Sequence, residues 1–290
     1  MKRAFILAGG ASRGAYQVGC LKALEEEGIT PDLVVGSSIG VCNALLYGTG
    51  GAEHAWAFWS RAQSLPRVFG FSLRQNALLG NSFFSMERLA SYLESEVDFD
   101  RCFASELELT FIVANLSAGH EELRGNRTEP DAARFAQFAR AGYTIPLLHP
   151  LVEIDGDMWA DGGFLWNVPF EYAEEWGADE IYILSVIPSR LQRANSLRTI
   201  PQVALRMYDV FWRTFGNSSY LEKHLEQGTY HGTRVTVLEP EPETGAFDPL
   251  GMLNAHPGKS KKLLLAGYRD TQQALHGGRP RTGRVKGAVP

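Results

Sequence analysis

The chain opens with a short unbroken apolar run, "AFILA" at residues 4–8, stopped by Gly9 and Gly10. A continuous apolar stretch of that length, ended by glycine, predicts a buried strand. The period then changes. In "RGAYQVGCLKALEEEG" the apolar residues Val18, Leu21 and Leu24 recur at helical spacing, and Gly28 supplies a helix stop. "DLVVG" is a second buried strand, and "SIGVCNALLYG" begins a second helix with no loop between them. Strand, helix, strand, helix in that order predicts a parallel sheet with helices on its faces.

Residues 52–95 break the pattern, being dense in aromatics and poor in strand signals. They are expected to form a helical cap inserted between core strands. Trp56, Phe58, Trp59, Phe69, Phe71, Phe83 and Phe84, with Leu78 and Leu79, suit a cap that grips an acyl chain or dips into a lipid interface, and equally a buried satellite core. "LELTFIVANL" at 107–116 returns to strand, and "PDAARFAQFARAG" predicts a helix with Pro130 in its first turn. "LVEIDGDMWADGG" predicts a hairpin about Asp155-Gly156. "EIYILSV" and "RVTVLEP" are further strands, separated by a helical stretch at 197–227, and "SKKLLLAGYRDTQQAL" is a closing amphipathic helix. One domain over residues 1–276 is expected. Residues 277–290 carry four positive charges among Gly and Pro and are expected to be a disordered tail.

Composition narrows the function classes. With 44% hydrophobic and 21% charged residues among 290, the chain has globular character, and a net charge of −5 makes nucleic acid a poor partner. Cys20, Cys42 and Cys102 are odd in number and form no paired motif, which argues against a disulfide framework or zinc site and for a reducing compartment. The apolar run after "MKR" is too short for a signal peptide, and no stretch approaches the ~20 residues of a membrane span. A soluble cytoplasmic protein is expected, with contact at a membrane surface left open.

Two glycine-bearing motifs carry the chemistry. The first loop, "GGASRG", has glycines at 9, 10 and 14, which does not fit the dinucleotide fingerprint G-x-G-x-x-G. It is closer to the loop of short-chain dehydrogenases, but Ala8 and Tyr16 depart from that pattern, and no tyrosine has a lysine four residues on. The P-loop pattern G-x-x-x-x-G-K-[ST] is not met either, because Gly258-Lys259-Ser260 has Leu253 where the pattern needs its first glycine. The second motif, "GSSIG", fits G-x-S-x-G through Gly36, Ser38 and Gly40 between a strand and a helix, the setting of a nucleophile elbow. A serine there stands at a helix N-terminus, where developing negative charge is favoured. The simpler alternative is a helix-capping serine. Turns after neighbouring parallel strands open on one sheet edge, so the N–H groups of Gly10 and Ala11, with that of Ile39, can face an oxygen held near Ser38 as an oxyanion hole. For the base, seven histidines are present, none in a readable motif. The better candidate is Asp161 in "WADGGF", for which an Asx turn is the bland alternative.

Together these blocks resemble the patatin-like phospholipase family over most of the chain. "GGASRG" is similar to the family's glycine-rich oxyanion loop with its basic residue, here Arg13. "GSSIG" is similar to its nucleophile motif, and "DGG" to its dyad aspartate, reached through "GYTIPLLHPLVEIDGDMWADGGFLWNVP". The resemblance implies a three-layer α/β/α fold and a lipid acyl hydrolase of phospholipase A type. Ser38 and Asp161 would be the dyad and Gly9, Gly10, Ala11 and Ile39 the oxyanion hole, with Arg13, Gly14, Gly36, Gly40 and Gly162 in support and no cofactor or metal. The family's loop has a third glycine where this chain has Ala11, which keeps the N–H, so the hole is expected to survive if Ala11 avoids positive φ. An α/β-hydrolase triad predicts more strands before the serine. A lipid-binding protein of the same fold without turnover, and a dehydrogenase-like NADP-binding protein, are the other readings.

Overall fold

The computed structural model of the chain describes residues 1–61, 87–188, 228–240 and 257–277, with 197–199, 202–203, 206–207 and 210 between them. The expected residues Phe69, Phe71, Leu78, Leu79, Phe83 and Phe84, the tail beyond 277 and most of the 197–227 stretch lie outside the described residues.

Strand β1 (Arg3–Leu7) leads through a tight helical turn at Ala11–Arg13 into α1 (Gly14–Glu26). Then come β2 (Leu33–Gly36), α2 (Ile39–Arg61), α3 (Glu87–Glu94), α4 (Phe99–Ala104), β3 (Glu108–Asn115) and β4 (His120–Gly125). Helix α5 (Ala132–Gly142) precedes the hairpin β5 (Val152–Ile154) and β6 (Asp157–Asp161). Helix α6 (Phe170–Glu175), β7 (Glu180–Leu184), β8 (Thr229–Tyr230), β9 (Thr233–Leu238) and α7 (Pro257–His276) complete the described elements.

Strands β3, β2, β1, β7 and β9 run parallel side by side. Alternate residues face opposite sides. Phe5, Leu7, Val34, Phe111 and Leu184 pack with α1, α2 and α7, whereas Ile6, Val35, Ile112 and Ile183 pack with Val168, Phe170 and Ala173 at and before α6. Both faces of β1, β2, β3 and β7 are covered, which is why these strands read as largely apolar runs, while β9 is only partly buried. The sheet lies between helical layers, a three-layer α/β/α arrangement.

One feature of the sheet brings distant residues together. Strand β4 pairs antiparallel with β3 from Thr110 to Asn115 and so occupies one whole edge of it. Strand β2 pairs with Glu108–Phe111, and β6 pairs antiparallel with Val113–Asn115. Both must therefore use the other edge, where they point at each other end to end. Gly36, the last residue of β2, stands opposite Phe111, and Asp161, the last of β6, stands opposite Val113. Only Ile112 lies between, its carbonyl accepting the Gly162 N–H at 3.2 Å.

Local signals explain most boundaries. Gly28 ends α1 at φ +70°, with Ile29 N–H returning to the Leu24 carbonyl. The β5–β6 turn has positive φ at both Asp155 and Gly156, the twist a two-residue hairpin requires. Pro130 is not in the first turn of α5. Asp131 is the cap, its side chain accepting the Arg134 N–H at 2.8 Å, and the proline precedes it. The expected cap boundary at residue 52 falls within α2, which kinks at Gly50–Gly51 and continues to Arg61. Beyond the kink Phe58 and Trp59 are buried in the main core and Trp56 packs against it.

Candidate active site

The turn after β2 is tight because two residues lack side chains. A Cβ on Gly40 would fall 1.9 Å from the Leu7 carbonyl oxygen, and one on Gly36 would meet the backbone of Gly40 and Val41 at 2.8 Å. Ser38, between them, is held at φ +54°. For a residue with a Cβ that left-handed conformation costs roughly 1–2 kcal/mol, so the surrounding structure must impose it. Its N–H donates to the Gly142 carbonyl at 3.1 Å. Ser38 thus stands at the start of α2 in a strained turn, not in the extended conformation of an ordinary capping serine.

Asp161 arrives from the opposite direction at the end of β6. Its N–H donates to the Thr144 carbonyl at 2.9 Å. The backbones of Ser38 and Asp161 are therefore both tied to the stretch that ends α5, two residues apart. Oδ1 of Asp161 accepts the Gly163 N–H at 2.8 Å, so the Asx turn is present. The Ser38 side chain stands near enough to this carboxylate to favour its charged form. Burial pushes the Asp161 carboxyl up from 3.8 to about 6, and Ser38 and the Gly163 N–H draw it partly back. Gly162 is required by crowding, since a Cβ there would meet the Val113 backbone at 2.8 Å.

No described histidine shares this site with Asp161. His54 bonds the Glu96 carbonyl, while His120, His231 and His276 pair with Glu122, Glu174 and Glu27. His149 is buried and accepts the Ile145 N–H on Nδ1, and desolvation pushes its pKa down to about 4. The remaining two, His224 and His256, lie outside the described residues. Cys42 is buried near Asp161, and its thiol is pushed up by desolvation and by that carboxylate.

The glycine loop lies against Ser38. A Cβ on Gly9 would come 2.9 Å from the Ser38 Cβ, one on Gly10 would strike Val186 at 2.1 Å, and one on Gly14 would strike Ile39 at 2.5 Å. Gly9 departs from its expected role as an oxyanion donor, because its N–H donates to Asn167 Oδ1 at 2.7 Å. Gly10 and Ala11 have no such acceptor among the described residues. Ala11 also departs from expectation, lying at φ +53°. Positive φ does not remove its N–H; it adds strain that the family's glycine would avoid. Arg13 is buried in the interior beside the loop.

Sequence reasoning missed the side chains that hold this loop. Gln17 and Asn43 are fully buried, and Asn167 is nearly so. The signal was present: Gln17 and Asn43 are polar residues on otherwise apolar helices.

The patatin-like phospholipase family model matches residues 5–174. The chain is 27% identical over 208 residues to a protein named lysophospholipase nte1 from Aspergillus terreus, covering 62% of this chain and 12% of that protein. It is 31% identical over 182 residues to patatin-like phospholipase domain-containing protein ZK370.4 of Caenorhabditis elegans, covering 60% and 13%. A lysophospholipase NTE1 of Phaeosphaeria nodorum is 27% identical over 307 residues, covering 91% of this chain and 18% of the relative. The chain thus spans less than a fifth of the length of these relatives. With more than half of its residues matched by the family model, the chain belongs to the patatin-like phospholipase family.

Proposed function

We propose that this chain is a serine lipid acyl hydrolase, cleaving fatty acyl esters through an acyl-serine on Ser38 with Asp161 as the base. The observation that carries the reading is the end-to-end meeting of β2 and β6 on one edge of β3, which brings the turn bearing Ser38 to the buried Asp161 carboxylate. Ser38 Oγ attacks the ester carbonyl while its proton passes to Asp161. The tetrahedral oxyanion is received by the N–H groups of Gly10, Ala11 and Ile39. Collapse breaks the ester C–O bond, and Asp161 returns the proton to the departing alcohol. Water, deprotonated by the same carboxylate, then attacks the acyl-serine; the bond from the acyl carbon to Ser38 Oγ breaks, Asp161 returns the proton to Oγ, and the fatty acid leaves.

A carboxylate of ordinary pKa is a weak base for a hydroxyl. One raised to about 6 is better matched to neutral pH, yet still ionised there. Relatives carrying the name lysophospholipase support lysophospholipids, beside diacyl phospholipids, as the substrates. No helix among the described residues is long and apolar enough to cross a membrane, and the substrate would be met at a lipid surface. The test is a panel of lysophospholipids, diacyl phospholipids and neutral glycerides, with products followed by mass spectrometry. Fatty acid release by wild type and none by Ser38→Ala supports the reading. Equal release by both proteins would contradict it.

A further inference from the structure

We infer that Gln17, Asn43 and Asn167 form a clamp of buried amide side chains that sets the orientation of the glycine loop, which makes all three positioning residues. The peptide unit joining Ala8 to Gly9 is held on both of its polar atoms. Its carbonyl accepts from Gln17 Nε2 at 2.6 Å, and its N–H donates to Asn167 Oδ1 at 2.7 Å. The far end of the loop is held too, the Gly14 carbonyl accepting from Asn43 Nδ2 at 2.9 Å. The amides also hold one another and the sheet. Gln17 Nε2 donates to the Leu184 carbonyl of β7 at 3.0 Å, and Asn43 Nδ2 donates to Gln17 Oε1 at 2.8 Å. Trp59 Nε1 donates to Asn43 Oδ1 at 2.8 Å.

Gln17 and Asn43 have no exposed surface, so water cannot replace these bonds. Buried amides stabilise a unique arrangement only when their donors and acceptors are met. Aliphatic side chains would fill the space between α1 and α2 without that demand. What the amides add is direction. With the Ala8–Gly9 peptide plane fixed, the next peptide has little freedom before Val186 closes on Gly10. The following N–H groups are thereby aimed before any substrate arrives, the preorganisation an oxyanion site depends on.

The kinetic readout rests on the acyl-transfer reading of Ser38, so the experiment separates the two. Gln17→Met and Asn167→Leu are compared with wild type in hydrolysis of a p-nitrophenyl ester, normalised to the sites titrated by a fluorophosphonate. Hydrogen exchange of residues 8–14 is followed by mass spectrometry. Expected is a fall in kcat per titrated site on the order of 10²-fold, with KM changed less than about threefold, and faster exchange across 8–14. Asn167→Asp keeps an oxygen for the Gly9 N–H and should retain most of the rate that Asn167→Leu loses.

Wild-type kcat per titrated site in Gln17→Met and Asn167→Leu overturns the clamp, since unfolding alone removes titratable sites and leaves the others at full rate. Equal losses in Asn167→Asp and Asn167→Leu also overturn it. Should Gln17→Met not fold, the Asn167 pair decides. If wild type neither turns over nor labels, it is the reading of Ser38 that fails. Exchange across 8–14 then decides alone, for the clamp if it quickens in the variants and against it if unchanged.

Discussion

At the scale of single residues the site is governed by the cost of a buried carboxylate. The Asp161 carboxyl sits at about 6 in the folded chain against an ordinary 3.8. The native state therefore holds its proton over a pH range where the unfolded chain has released it. The stability this group permits is complete below about pH 3.8 and is lost as pH rises through about 6. At 1.36 kcal/mol per unit the loss amounts to at most about 3 kcal/mol. Asp161→Asn keeps an oxygen for the Gly163 N–H and removes that cost. Urea unfolding should find the variant more stable than wild type at pH 8 and no more stable near pH 4, with hydrolysis reduced on the order of 10²–10⁴-fold. Ser38 was marked by the G-x-S-x-G spacing between strand and helix, whereas Asp161 was marked only by the resemblance of "DGG" to the family's block, since locally it reads as an Asx turn. Asn167 was not legible, because a single asparagine three residues before α6 has no pattern until the loop it holds is folded.

At the scale of elements, close approach between helices sets what the sequence can tolerate. Helices α1 and α7 cross with glycine on each side. A Cβ on Gly19 would fall 2.1 Å from the Leu264 carbonyl oxygen, and one on Gly267 would fall 2.0 Å from that of Tyr16. Backbone atoms cannot move aside as a flexible side chain can, so Gly19→Ala and Gly267→Ala must separate the helices. Each is expected to cost about 1–3 kcal/mol or more, read as a lower urea midpoint, while turnover per titrated site stays near wild type. Apolar runs announced β1, β2, β3 and β7, because each is buried on both faces, while β9 was read from the shorter run "VTVL" and is only partly buried. Strand β4, "HEELRG", gave no such signal. It is largely exposed and polar, and it is held by backbone pairing to β3 across a short turn. Pro130 misplaced the start of α5 by two residues because the Asp131 cap, not the proline, begins it.

At the scale of the whole molecule, the arrangement hardest to foresee is the end-to-end meeting of β2 and β6. The hairpin about Asp155-Gly156 was readable, but its docking on the same edge of β3 as β2 depends on β4 having taken the other edge. That long-range choice is what carries a carboxylate from residue 161 to a hydroxyl at residue 38. The most direct measurement is the rate constant for fluorophosphonate labelling against pH, in wild type and Asp161→Asn, with the adduct located by mass spectrometry. Expected are an adduct on Ser38 and a wild-type rate that rises through about pH 6 to a plateau. In Asp161→Asn the rate should be low and without that step. A step near pH 6 that survives in Asp161→Asn, or one abolished by replacing a single histidine, would contradict the pairing of Ser38 with Asp161.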